Sequence, residues 1–219
     1  MTRIILVRHC EAEGNTCRIL QGKTDCDISG NSSVQLDLIS LRLRNVHIDA
    51  VYSSPLKRAK KTAEAINKYH GLPIKTDKRL QEIDVGDWEG KTWAEIGRDY
   101  ADKLKIWQEN PGEFASPGGE TMKEVYERIW AGIIDIVKSN KDKTVLVTSH
   151  GCAIRNFLCR ALGKPIENLA DIEWCDNTAV SVIDFDDHLD PKVVIMNDAS
   201  HLPAQFSLHK SGLLYENGE

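Results

Sequence analysis

The sequence predicts an α/β fold: a three-layer sandwich with a mainly parallel central sheet flanked by helices, and an antiparallel C-terminal edge. Three observations predict it. Ile4–Val7 and Thr144–Thr148 are unbroken apolar or β-branched runs, which is how strands buried on both faces read. Helical periodicity fills the spaces between such runs, and strand–helix alternation marks a parallel sheet. The last two runs, Val180–Phe185 and Val193–Met196, are parted only by Asp186–Pro191, a connection suited to neighbouring antiparallel strands.

The elements follow in chain order. Ile4–Val7 is the first strand. In 34–43, Val34, Leu36 and Leu38 alternate like a strand, while Val34, Leu38 and Leu41 fit a helix; helix is expected because parallel strands need a crossover. Ala50–Tyr52 is the second strand. Leu56, Ala59, Ala63 and Ile66 recur at helical spacing after it. Residues 92–119 begin as helix (Trp93, Ile96, Tyr100, Leu104, Trp107) and end in Asn110-Pro111-Gly112 and Pro117-Gly118-Gly119. They are read as an excursion over a site. Trp88, Trp93 and Trp107 could line that site, although aromatics at helical spacing are more often core. Thr121 and Glu124 form a capping box before Met122, Val125, Ile129, Ile133 and Ile136. Ala153–Leu162 is a helix that stops at Gly163. The terminal hairpin and a tail over 203–219 complete the chain.

The chain of 219 residues is expected to be one domain over 1–219. Hydrophobic residues make up 41% and charged residues 28%, as in soluble globular proteins, which excludes collagen, coiled coil and disorder. The net charge of −5 offers no basic excess to grip a polyphosphate backbone, so nucleic acid is not an expected partner. No apolar run reaches membrane-span length and MTRIILVRHC lacks the features of a signal peptide, so a cytoplasmic protein with no membrane partner is expected. Six scattered cysteines without a C-x-x-C pair read as reduced thiols. The tail's apolar residues (Leu202, Phe206, Leu208, Leu213, Leu214) could pack on the domain or on a second subunit, which leaves a homodimer open.

Ligands of a parallel α/β sheet bind at the carboxyl ends of its strands. Arg8-His9-Cys10-Glu11 follows the first strand, Ser53-Ser54-Pro55-Leu56-Lys57-Arg58 the second, and Ser149-His150-Gly151 the third. Two imidazoles and two guanidiniums at one end of a sheet make an anion pocket with a candidate nucleophile. The stretch Glu82, Asp84, Asp87, Glu89 supplies carboxylates, and on chemistry alone any of them could be the acid. No H-x-H or H-E-x-x-H spacing supports a metal hydrolase.

Arg8-His9-x-Glu11 resembles the signature of the histidine phosphatase (phosphoglycerate-mutase-like) superfamily. Asn15 and Gln21-Gly22, Ser53-Ser54-Pro55-Leu56-x-Arg58-Ala59-x-x-Thr62-Ala63, Leu80-x-Glu82-x-x-x-Gly86-x-Trp88-Glu89-Gly90, Pro117-Gly118-Gly119-Glu120-Thr121 and Ser149-His150-Gly151 match further motifs in order. The resemblance implies a two-step phosphoryl transfer. His9 would become phosphohistidine, Arg8, Arg58 and His150 would bind the equatorial oxygens, and Glu82 would be the acid and then the base. Asn15 would lie near the phosphate or orient the first loop, and Gln21-Gly22 would offer an amide and a backbone N–H. No metal or cofactor is implied. Gly86–Thr92, Cys175–Ala179 and His201-Leu202 resemble the short-chain phosphatase branch, which implies a phosphomonoesterase acting on a small phosphorylated metabolite. A cofactor-dependent phosphoglycerate mutase and a non-catalytic phosphate-binding module are the alternatives. Cys10, the stretch Asp25-Cys26-Asp27-Ile28-Ser29, which replaces the usual D-x-P-L-T and loses its proline, and Ser32 depart from the family. Cys10 and Cys152, close to the two histidines, are expected to be reactive thiols whose alkylation lowers activity.

Overall fold

The computed structural model describes residues 1–207. Leu208, Leu213 and Leu214, expected to pack as part of the tail, lie outside the described residues. The chain runs β1 (Thr2–Arg8), α1 (Glu13–Thr16), α2 (Ser32–Leu43), β2 (Ala50–Ser53), α3 (Lys57–Asn67), β3 (Ile74–Thr76), α4 (Trp93–Asp99), α5 (Ala101–Glu109), α6 (Met122–Ser139), β4 (Thr144–Ser149), α7 (Gly151–Ala161), β5 (Val180–Phe185) and β6 (Pro191–Asp198). The sheet order is β3-β2-β4-β1-β5-β6. β2 pairs in parallel with β3 and β4, and β4 with β1, whereas β5 runs antiparallel to both β1 and β6. This is the mainly parallel sheet with an antiparallel C-terminal edge that the patterns predict.

Alternation along the strands divides the interior into two cores. Ile4, Leu6, Val145, Val147, Ile183 and Phe185 face α6 and α7, packing with Val125, Ile129, Ile133 and Phe157. Ile5, Val7, Val51, Leu146, Val180 and Val182 face α2 and α3, packing with Ile39, Leu43, Ala63 and Ile66. β1 is therefore apolar at every central position because it faces a helical layer on each side.

The capping box before α6 is formed: Thr121 Oγ1 accepts from the Glu124 N–H at 3.2 Å and the Glu124 carboxylate accepts from the Thr121 N–H at 2.7 Å. Gly163 takes φ +69° behind α7, the left-handed cap that only glycine adopts without strain. α2 is a helix, but its buried face differs from the expected one. Val34 and Leu41 are exposed, and Ser32, Gln35, Ile39 and Leu43 face inward. The reason is polar: the Gln35 side chain accepts from the Glu11 N–H at 2.7 Å, so a glutamine is inside. The excursion over 92–119 divides into two helices at Tyr100, whose φ −140° and ψ 38° break the helical path. Two of its aromatic residues, Trp107 and Phe114, pack inward against Trp88. Trp88, Trp107 and Phe114 are buried, with ring centroids 4.9–6.1 Å apart.

Candidate active site

β1, β4 and β2 end side by side, and each delivers a polar residue to the same edge. His9 follows β1 and His150 follows β4, with ring centroids 5.1 Å apart. Arg8 is the last residue of β1, and Arg58 lies in the first turn of α3, which follows β2. All four side chains are buried.

Burial and the adjacent Arg58 and Arg8 charges push the His9 pKa well below the ordinary imidazole value. The ring is then neutral at pH 7. Its Nδ1 lies 2.6 Å from the Cys10 carbonyl oxygen, and a carbonyl only accepts, so Nδ1 carries the proton. The lone pair is left on Nε2. His150 is likewise held neutral by burial and by Arg58. Its Nε2 lies 2.7 Å from Ser54 Oγ, and its buried Nδ1 has no hydrogen-bond partner among the described residues. A Ser54 O–H donated to Nε2 places the His150 proton on Nδ1. Arg8 donates through one terminal nitrogen to the Cys175 carbonyl, and its buried Nε is unpartnered among the described residues. Buried donors of this kind, beside a neutral imidazole lone pair, suit a tetrahedral anion.

Arg58 is anchored by donating to the carbonyls of Thr24 (2.8 Å) and Gly22 (2.9 Å). That loop is held in turn by Glu89, whose carboxylate accepts from the N–H groups of Gly22, Lys23 and Thr24. The expectation for Gly22 is thereby corrected: Glu89 already takes its N–H, and it meets the site through its carbonyl. Asn15 Oδ1 accepts from the Ala12 N–H at 2.9 Å, and the Gln21 amide oxygen accepts from the Gly14 and Asn15 N–H groups at 2.6 and 3.1 Å. Both therefore stiffen the first loop.

Of the four carboxylates left open by the sequence, only Glu82 is buried at the edge of the site. Its oxygens accept from the N–H groups of Cys152 and Ala153, both at 3.1 Å, so it sits on the N-terminus of α7. Asp84 is paired with Lys23 at 3.0 Å, Glu89 is committed to the loop, and Asp87 is exposed. Arg128 on α6 holds the Glu82 segment, donating to the carbonyls of Arg79, Gln81 and Glu82 at 2.8–2.9 Å while its guanidinium grips the Glu120 carboxylate.

The thiols depart from expectation. Cys10 is fully buried and burial raises its pKa to about 11, while burial raises that of Cys152 well above the ordinary thiol value. Neither is a thiolate at neutral pH. The structure also adds residues that the sequence reading did not single out. Ser54 holds His150, Thr62 Oγ1 accepts from the Cys10 N–H, and Asn177 donates to the His9 carbonyl at 2.9 Å. Ser54 and Thr62 carried a signal as members of the second arginine motif, and Asn177 as a member of the Cys175–Ala179 segment, but none pointed to these contacts.

Among the described residues, no group of three or more His, Cys, Asp or Glu side chains could hold a metal ion, and no helix is long and apolar enough to cross a membrane. An α/β sandwich whose strand ends gather two neutral imidazoles, two guanidiniums and a buried carboxyl group defines a phosphoryl-transfer enzyme. Residues 4–199 match the family model of the histidine phosphatase superfamily (branch 1), and the chain belongs to that family. Phosphoserine phosphatase 1 of Hydrogenobacter thermophilus is 33% identical over 202 residues, covering 92% of this chain and 95% of that protein. The solved structure of Bacillus stearothermophilus YhfR matches with a TM-score of 0.88 at 30% identity, covering 92% of this chain and 99% of that one. A phosphoserine phosphatase mutant of Entamoeba histolytica, solved with phosphoserine, matches with a TM-score of 0.80 at 28% identity, covering 93% and 100%. The protein is a phosphomonoesterase acting through a phosphohistidine, and this reading is supported over the mutase.

Proposed function

We propose that this enzyme hydrolyses a small phosphorylated metabolite of the phosphoserine type, with His9 as nucleophile. The observation that carries the reading is the His9 ring, neutral between Arg8 and Arg58, with Nδ1 tied to the Cys10 carbonyl and Nε2 left to attack. In the first step Nε2 forms a bond to phosphorus as the ester oxygen leaves. Arg8, Arg58 and the Nδ1–H of His150 take the equatorial oxygens, whose charge grows in the transition state. Glu82 gives its proton to the leaving oxygen. In the second step the Glu82 carboxylate takes a proton from water, the water oxygen attacks phosphorus, and the N–P bond breaks to free His9 and inorganic phosphate.

Asn15, Gln21 and Gly22 shape the loop that bounds the phosphate. The excursion over 92–119 belongs to the one domain and bounds the leaving-group side. The reaction takes place in the cytoplasm, and analytical ultracentrifugation would distinguish monomer from homodimer. The test is phosphate release across a panel of metabolite phosphates, phosphoserine and 3-phosphoglycerate included, with a bisphosphate-primed mutase assay in parallel. Wild type is expected to release phosphate and to trap acid-labile phosphate on quenching. His9→Ala is expected to do neither while keeping its circular dichroism and melting curve. Normal turnover by His9→Ala would end the assignment.

A further inference from the structure

Thr178 lies in the loop that leads into β5 and has φ +56°. For a β-branched residue this left-handed conformation is a steric outlier, kept only where the surroundings impose it. Its N–H points at the carbonyl oxygens of Arg8 (3.1 Å) and His9 (3.3 Å), so its unusual backbone is spent against the residue that attacks phosphorus. The preceding Asn177 donates to the same His9 carbonyl at 2.9 Å.

The Thr178 hydroxyl meets Nε2 of His201 at 3.1 Å. The other ring nitrogen, Nδ1, lies 2.9 Å from a terminal nitrogen of Arg42 on α2. A guanidinium can only donate, so Nδ1 accepts and the neutral ring carries its proton on Nε2, aimed at Thr178 Oγ1. Burial and the Arg42 charge push the His201 pKa down to about 4, so this tautomer persists at neutral pH. Arg42 is itself fixed by the Asp198 carboxylate at 2.6 Å and the Asp198 carbonyl at 3.0 Å.

We infer that His201 is a positioning residue for the nucleophile: the chain Arg42–His201–Thr178 holds the loop whose N–H groups fix the backbone of His9. The inference rests on His9 being the nucleophile. It gives His201-Leu202, which lies beyond the family-matched residues 4–199, a place in the reaction without contact to the phosphate.

The experiment measures the single-turnover rate of phosphoenzyme formation with p-nitrophenyl phosphate, at a temperature well below each variant's melting point. His201→Ala removes both bonds. His201→Asn keeps an acceptor near Nδ1 but loses the donor to Thr178, whereas His201→Gln places an amide N–H near Nε2. Ala and Asn variants are expected to form phosphoenzyme more slowly by about tenfold to a hundredfold, the cost of a misplaced reacting group. Gln is expected to recover most of the rate. Thr178→Val should match His201→Ala, and the double variant should be no slower than either single one, as for two members of one link. If the alanine variant fails to fold, the Gln and Asn pair carries the comparison. A Gln variant as slow as Asn, rate losses that multiply in the double variant, or single variants at the wild-type rate would overturn the inference. Phosphoenzyme formation by His9→Ala would instead overturn the nucleophile reading, so the two failures are distinguishable.

Discussion

A carboxyl group that protonates a leaving oxygen matters in proportion to how much that oxygen needs the proton. An alkoxide is a poor leaving group, and nitrophenolate departs largely unaided. General acid catalysis contributes roughly 10²–10⁴-fold, so Glu82→Gln should lower kcat/KM for alkyl phosphates by that order and far less for p-nitrophenyl phosphate. The comparison between substrates is needed because the glutamine amide would turn a donor toward the N–H groups of Cys152 and Ala153, a cost that both substrates share. Asp84→Asn, Asp87→Asn and Glu89→Gln should show no leaving-group dependence; if one does and Glu82→Gln does not, the acid is misassigned. The thiols allow a second prediction. Iodoacetamide at neutral pH should label exposed Cys17 and half-buried Cys26 while Cys10 and Cys152 stay unmodified and activity persists. Peptide mass spectrometry checks this, and labelled Cys10 in active, folded enzyme would contradict it. Chemistry-bearing residues such as His9, Arg58 and His150 were legible because each lies a short way past the end of an apolar run. Ser54, Asn177 and Arg128 work through partners 96, 168 and 46–49 positions away, and no local pattern encodes such pairs.

Among the elements, the long periodic ones were legible: β1, β4, β5, α3, α6 and α7 all lie where the hydrophobic periods place them. β3 was not, because Ile74–Thr76 is a short edge strand with mostly exposed side chains and carries no alternation to detect. The buried face of α2 was also misread, since hydrophobicity cannot announce an inward glutamine. The loop bearing Glu82 is tied to the return of the excursion at Gly86, whose φ is +51° and where an added Cβ would stand 2.1 Å from the Pro117 carbonyl oxygen. A side chain there costs about 1–2 kcal/mol for the left-handed backbone, with roughly 1–3 kcal/mol more for the clash. Gly86→Ala should therefore lower stability by more than about 2 kcal/mol in urea titration. It should also lower turnover, because the crossing aligns the segment that carries Glu82, the proposed acid. Wild-type stability in this variant would show that the crossing yields at little cost.

For the whole molecule, two buried neutral imidazoles make stability depend on pH with a definite sign. The folded-state pKa values of His9 and His150 are both lowered, by burial first and then by Arg58. The unfolded chain therefore binds more protons than the native one below about pH 6.5, the ordinary value for histidine. The stabilising contribution is complete above pH 6.5 and is lost as the pH falls toward the lowered values. Melting temperature should drop between pH 6.5 and 5 in wild type and drop less in His9→Ala, as read by calorimetry in matched ionic strength. Inorganic phosphate binds only the folded site and should raise the melting temperature, and less so for Arg58→Ala. An equal pH response in wild type and His9→Ala would place the proton uptake elsewhere.

β1 has a parallel neighbour on one side and an antiparallel neighbour on the other, and a helical layer over each face. Such a strand has no edge from which to fray. Its amide protons should exchange with deuterium only when the entire molecule opens, while those of β3 and β6 exchange through local motions. His9, the proposed nucleophile, is one residue past the end of this strand. Partial opening at β3 therefore leaves His9 in place, whereas opening at β6 releases Asp198 and with it the Arg42–His201–Thr178 link, so catalysis should fall before the slowest-exchanging amides do. In this enzyme the fraction of molecules able to turn over is then bounded above by the folded fraction, and the gap between the two measures how often β6 opens.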